Sequence, residues 1–80
     1  MVLQIGDVRF LLKDLMAFHA ADVGMIGQKP VEGIYINLVL KGAPTPIKAA
    51  VETEADRERV MAALEKLFRK YNRAKKTIEL

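Results

Sequence analysis

Apolar and polar positions separate most cleanly toward the end of the chain. Val60, Leu64, Leu67, Phe68 and Tyr71 recur at i, i+4, i+7, i+8 and i+11, the spacing of one helical face. Thr53 stands where an N-cap belongs, with Asp56 three residues on, in a shortened capping-box pattern. Glu54, Asp56 and Glu58 fill the first turns, and Lys66, Arg69, Lys70 and Arg73 crowd the last, each sign suiting its end of the dipole. The pattern predicts an amphipathic helix over 54–72, capped at Thr53, of roughly five turns. Burying Val60, Leu64, Leu67 and Phe68 stabilises by about 6–12 kcal/mol before entropy is subtracted. That rivals the net stability of a small domain, so the fold depends on the helix.

Alternation with period two marks the strands. Ile34 to Lys41 is β-branched and aromatic, with Ile34, Ile36, Leu38 and Leu40 on one face and Tyr35, Asn37 and Val39 on the other. Gly42-Ala43-Pro44-Thr45-Pro46 reads as a stiff hairpin connection, after which Ile47 to Glu52 pairs back with Ile47, Ala49 and Val51 inward. Val2 to Leu12 reads as a first strand, interrupted at Gly6-Asp7 by a turn or bulge. Lys13-Asp14 is a polar break, and Leu15 to Val23 is a second strand with Leu15, Ala17 and His19 on one face. Gly24 to Gly33, with three glycines and Pro30, reads as a loop.

The expected fold is therefore α+β: an antiparallel meander of about four strands with one C-terminal amphipathic helix on one face. An αββα arrangement is the alternative. Val8, Leu11, Leu12, Leu15, Met16 and His19 also fit helical spacing, with Asp7 to cap and Gly24 to end the element. Strands are preferred because that helix leaves a bare two-stranded hairpin to support two helices, and sets Phe10 and Phe18 off the stripe. Residues 1–72 form the expected domain and 73–80 a basic, frayed tail, whose Thr77 to Leu80 is a candidate edge strand for a neighbour.

Composition narrows the chemistry. Eighty residues bury a modest core, yet 51% of them are hydrophobic. That surplus requires a sheet covered on both faces, or an apolar face shared with a partner. There is no Cys and no Ser, so thiolate zinc sites, disulfides and serine or cysteine nucleophiles are excluded. His19 is the lone imidazole, more readily a structural residue than a ligand or base, since no cluster of ligands accompanies it. Glu54, Asp56 and Glu58 are accounted for by helix capping, and Asp14 by a turn. We expect no enzymatic activity and no metal or cofactor. No stretch approaches a membrane span and no basic lead precedes the first apolar residues, so the expectation is a cytoplasmic protein without a membrane partner. Few Ser, Asn and Gln beside many charges agree with a heat-adapted source.

The net charge of +3 resides wholly in residues 53–80, since residues 1–52 balance to zero. Lys66, Arg69, Lys70, Arg73, Lys75 and Lys76, with only Glu65 among them, are candidate contacts for nucleic acid or another anion. A solvated helix end explains the same run. Gly24-Met25-Ile26-Gly27 has the G-x-x-G form of KH domains, but Pro30 and Gly33 prevent the long helix that must follow it.

Leu3-Gln4-Ile5-Gly6-Asp7-Val8, Gly33-Ile34-Tyr35-Ile36-Asn37-Leu38, Pro46-Ile47 through Val51-Glu52-Thr53-Glu54, and Leu64-Glu65-Lys66-Leu67-Phe68 form a recognisable order. It resembles small uncharacterised bacterial and phage proteins with a four-stranded meander and a C-terminal helix, a plan loosely similar to PH-like domains. The resemblance implies that fold and carries no catalytic residues. The chain departs from it at Leu11-Leu12-Lys13-Asp14, where an Asn- or Asp-rich turn is expected. Together these readings favour a homo-oligomeric or protein-interaction module, with Met16, Phe18, Tyr35 and Val39 as the candidate interface. A nucleic-acid-binding regulator using the basic helix end and tail is the alternative.

Overall fold

The computed structural model describes residues 1–75, without the side chains of Ile26 and of residues 71–75. It is an α+β arrangement of five strands and one helix. Strands β1 (Val2–Ile5) and β2 (Val8–Leu11) form a two-stranded hairpin, and a single 3-10 turn (Leu12–Asp14) leads out of it. Strands β3 (Leu15–Ile26), β4 (Lys29–Leu40) and β5 (Ile47–Ala50) form a separate antiparallel sheet in that order. Helix α1 (Glu54–Lys75) closes the described chain. The αββα alternative is not adopted, and the expected four-stranded meander is divided into two sheets.

Both tight hairpins depend on a glycine. Gly6-Asp7 joins Ile5 to Val8 and Gly27-Gln28 joins Ile26 to Lys29, with φ of 55° at Gly6 and 63° at Gly27. Two-residue hairpin turns whose twist matches the strands need positive φ at the first central position, which glycine adopts without strain. The Gly24–Gly33 segment is thus no loop, which corrects the expectation from its glycines and Pro30. Gly24 and Gly33 lie in strand interiors, and the Tyr35 ring occupies the space their side chains would fill: an added Cβ would come within 2.7 Å of the ring at Gly24 and 2.8 Å of its hydroxyl at Gly33. Pro30, opposite Met25, sits where β4 has outrun β5 and is itself an edge, so its missing N–H interrupts no central ladder. The β3–β4 ribbon extends well past β5, which pairs only with Tyr35 to Leu38.

One core joins all the elements. Ile5 and Phe10 from the first hairpin, Leu12, Leu15, Ile36, Leu38, Ala49 and Leu64 are buried together. Register places Phe18 beside Leu38 and Ile36 beside Ala49 on the covered face of the three-stranded sheet, with Ala20, beside Ile36, exposed at its β3 margin. Between Leu15 and Ala17, β3 carries one more residue than β4, a bulge at Met16. It brings Leu15 onto the same face as Phe18, whereas uninterrupted alternation had put them on opposite faces. The α1 stripe lies over that face. Leu64 is buried, Val60, Leu67 and Phe68 are half-buried, and the Phe68 ring meets Phe18 edge-on at 6.1 Å.

The helix begins as its cap residues dictate. The Asp56 N–H donates to Thr53 Oγ1 at 3.0 Å and the Arg57 N–H to the Thr53 carbonyl at 3.0 Å. It continues to Lys75, three residues beyond the expected end at Asn72, while Thr77 to Leu80 lies outside the described residues. No described helix is long and apolar enough to cross a membrane. Leu64→Ala is expected to lower unfolding free energy by about 2–5 kcal/mol in urea titration, and the exposed Ala63→Ser by less than about 0.5 kcal/mol. Equal effects would show that the helix does not anchor the core.

Candidate interaction surface

The three-stranded sheet has a second face, and no described element covers it. Register sets Ala17, His19 and Ala21 of β3, Tyr35, Asn37 and Val39 of β4, and Lys48 and Ala50 of β5 on that side. Ala17, Ala21 and Ala50 are its short residues, and His19, Tyr35, Asn37, Val39 and Lys48 stand among them. Ala17, His19, Lys48 and Ala50 are exposed, and Tyr35, Asn37 and Val39 are half-buried.

A polar row crosses the centre, with His19, Asn37 and Lys48 side by side on three strands. Asn37 Nδ2 lies 2.9 Å from His19 Nε2. As placed, the amide donates to the ring nitrogen, which assigns the ring proton to Nδ1. Asn37 Oδ1 is buried and has no hydrogen-bond partner among the described residues. A buried acceptor left unpaired is costly. Beyond the row, a shallow depression is lined by Gly24, Met25, Tyr35, Thr45, Pro46, Lys48 and Ala50, with one cation and no carboxylate. The Tyr35 hydroxyl donates to the Val31 carbonyl at 3.4 Å, which holds the ring along the ribbon.

The edge of the sheet adjoins this face. β5, at one side, has only four residues, whereas β3 at the other has twelve. Three of the exposed large apolar side chains, Met16, Val23 and Met25, belong to β3. Arg57 reaches across from the first turns of α1 to this strand. Its Nη1 donates at 2.9 Å to the Ala21 carbonyl and at 2.9 Å to Asp22 Oδ1. The guanidinium side chain is 14% exposed while Asp22 is 79% exposed, so the carbonyl contact is the sheltered one.

Of the expected interface residues, Tyr35 and Val39 lie on the open face and Met16 protrudes at the bulge, 61% exposed. Phe18 does not join them, because it packs on Phe68 beneath the helix. His19, Asn37 and Arg57 carry the polar geometry, and only pairing partners could have revealed it. On the basic side, Lys66, Arg69 and Lys70 are exposed along α1 and line a groove with Ala62 and Glu65. Arg69 is paired with Glu65 at 2.6 Å. Arg73 and Lys75 fall within the last turns of the helix, and Lys76 lies outside the described residues. Among the described residues, no three His, Asp or Glu side chains come together to hold a metal ion. Comparison with protein-family models, with curated proteins and with solved structures finds no match for this chain.

Arg57→Met should cost about 1.5–3 kcal/mol of stability, because it removes a charge-assisted bond to a sheltered carbonyl. Asp22→Asn should cost less than about 1 kcal/mol, the range of a solvated ion pair. Thermal unfolding of both variants tests this ranking, and the reverse order would make the ion pair the anchor.

Proposed function

We propose that this chain is a non-enzymatic interaction module that self-associates through the part of the three-stranded sheet its own helix leaves bare, the open face and the β3 edge beside it. The observation that carries the reading is the open face of Ala17, His19, Tyr35, Asn37, Val39 and Lys48, with Asn37 Oδ1 buried and unpaired in its middle. No described element covers this face. The apolar surplus of the composition points the same way, since one core of eight buried residues does not absorb it. Light scattering on the eluting protein is expected to give twice 9.0 kDa or a higher multiple at micromolar concentration. A monomer at all concentrations up to hundreds of micromolar overturns the reading.

A second reading rests on the continuous helix. It carries Lys66 and Lys70 exposed on one side, with no ion pair to either among the described residues, and continues through Arg73 to Lys75. Such a rod tracks phosphates electrostatically, without base recognition. A nucleic-acid-binding regulator of this kind binds single- or double-stranded oligonucleotides with an affinity that falls steeply with salt. Lys66→Glu together with Lys70→Glu is expected to lower that affinity at least tenfold in fluorescence anisotropy and to leave the fold intact. Absence of binding at low salt eliminates this reading and leaves the first untouched.

A further inference from the structure

Three backbone facts fix which groups β3 turns outward. In an antiparallel strand each residue directs its N–H and its carbonyl to the same side, and the side alternates. The Val51 N–H donates to the Ile34 carbonyl at 2.9 Å, so Ile34, Ile36 and Leu38 face β5. The Lys41 N–H donates to the Asp14 carbonyl at 2.8 Å, so Tyr35, Asn37, Val39 and Lys41 face β3. Their register partners Ala21, His19 and Ala17 therefore face β4, and Phe18 and Ala20 direct their N–H and carbonyl groups away from the sheet. No described residue pairs with them. Two irregularities bound this regular stretch, the bulge at Met16 and the register shift between Ala21 and Val23, where Arg57 grips the strand.

From this we infer that the occupant of the β3 edge is the β3 edge of a second copy, paired antiparallel about a twofold axis at His19. The inference rests on the self-association reading and assigns the contact to the β3 edge, where His19 alone of the open-face side chains meets its own copy. Under that axis Phe18 stands opposite Ala20 of the partner subunit, and Ala20 opposite the partner's Phe18. Each pair exchanges two N–H···O bonds, so the four outward groups of each copy are all satisfied. The same pairing sets a large side chain against a small one on the helix side of the sheet. On the open side it sets His19 against the partner's His19, flanked by Ala17 and Ala21, which leave room for the rings. No charged side chain lies between Leu15 and Ala21 to oppose the approach, and the carboxylate that follows, Asp22, is held by Arg57. An unrelated peptide satisfies the main-chain groups equally well. The alternation of large and small about a single residue makes this edge complementary to its own copy about that axis. The product is a continuous six-stranded sheet with both helices on one side and both open faces on the other.

The chain has no cysteine, so one introduced thiol reports the register without interference. Residues at a non-hydrogen-bonded antiparallel pair have Cα atoms about 4.5 Å apart, within disulfide reach. His19→Cys is therefore expected to form a covalent dimer nearly quantitatively under mild oxidation with diamide. Ala17→Cys, four residues out of register with its own copy and about 13 Å from it, is expected to form at least tenfold less. Ala20→Pro removes one outward N–H without touching the β4 ladder, and is expected to weaken association at least tenfold in analytical ultracentrifugation. Its circular dichroism checks that the monomer still folds, and His19→Cys remains informative if it does not. A wild-type dimer in which His19→Cys and Ala17→Cys cross-link equally or not at all overturns the edge pairing and leaves self-association standing. A wild-type monomer overturns both.

Discussion

The structure depends on the register of β3 on β4. A sheet strand has a side-chain period of two, so a slip of one residue would turn Phe18 and Ala20 outward and bring His19 into the core. The bulge at Met16 bounds that register at one end, and the shift between Ala21 and Val23 joins it at the other to the register the Gly27-Gln28 turn sets. With both in place Leu15, Phe18, Ile36, Leu38 and Ala49 line one face, and α1 has a surface to lie on. Arg57 then links the beginning of the helix to the strand that carries this register, through the Ala21 carbonyl. Helix, bulge and turn are therefore one constraint with three contributors.

The sequence made the helix, the Ile34 strand and the hairpin return to Ala49 legible because each is a strong local period with flanking caps or turn residues. Thr53 and Asp56 are found in the capping contact their spacing implies. The Gly24–Gly33 segment was not legible. Glycine reads as a breaker when only propensity is considered, but here Gly24 and Gly33 are strand residues covered by the Tyr35 ring, a tertiary contact over two and eleven positions. The faces of β3 were misread for a related reason. A bulge inserts one residue without any mark in the amino acids around Met16, and every face assignment before it changes parity. Phe18 was thereby placed on the open side, and the helix claims it instead. The polar row of the open face was hidden too, because His19, Asn37 and Lys48 become neighbours only through two strand pairings.

Size explains why one face of the sheet is left uncovered. A chain this short folds one helix and one short hairpin against one side of a three-stranded sheet, and nothing described remains for the other side. The surface left bare is built of Ala17, Ala21 and Ala50 around a polar centre. Short side chains limit its hydrophobicity. The free protein can thus expose this face without the penalty that a surface of Leu and Ile would bring.

The two sheet edges are treated differently, and that difference bears on which surface is meant for pairing. Natural sheets protect edges with short strands, prolines and outward charges. The β5 edge has all three: four residues, Pro44 and Pro46 just before it, and Lys48 within it. The β3 edge has none of them from Ala17 to Ala21, and its two irregularities, the bulge at Met16 and the shift between Ala21 and Val23, flank that stretch instead of breaking it. An edge of twelve residues with Met16, Val23 and Met25 exposed is an aggregation hazard unless its growth is limited. A twofold pairing limits it, because joining two β3 edges uses both and leaves only the protected β5 edges at the ends of the enlarged sheet. Closure of that kind ends in a dimer, whereas head-to-tail pairing of β3 with β5 would propagate without end.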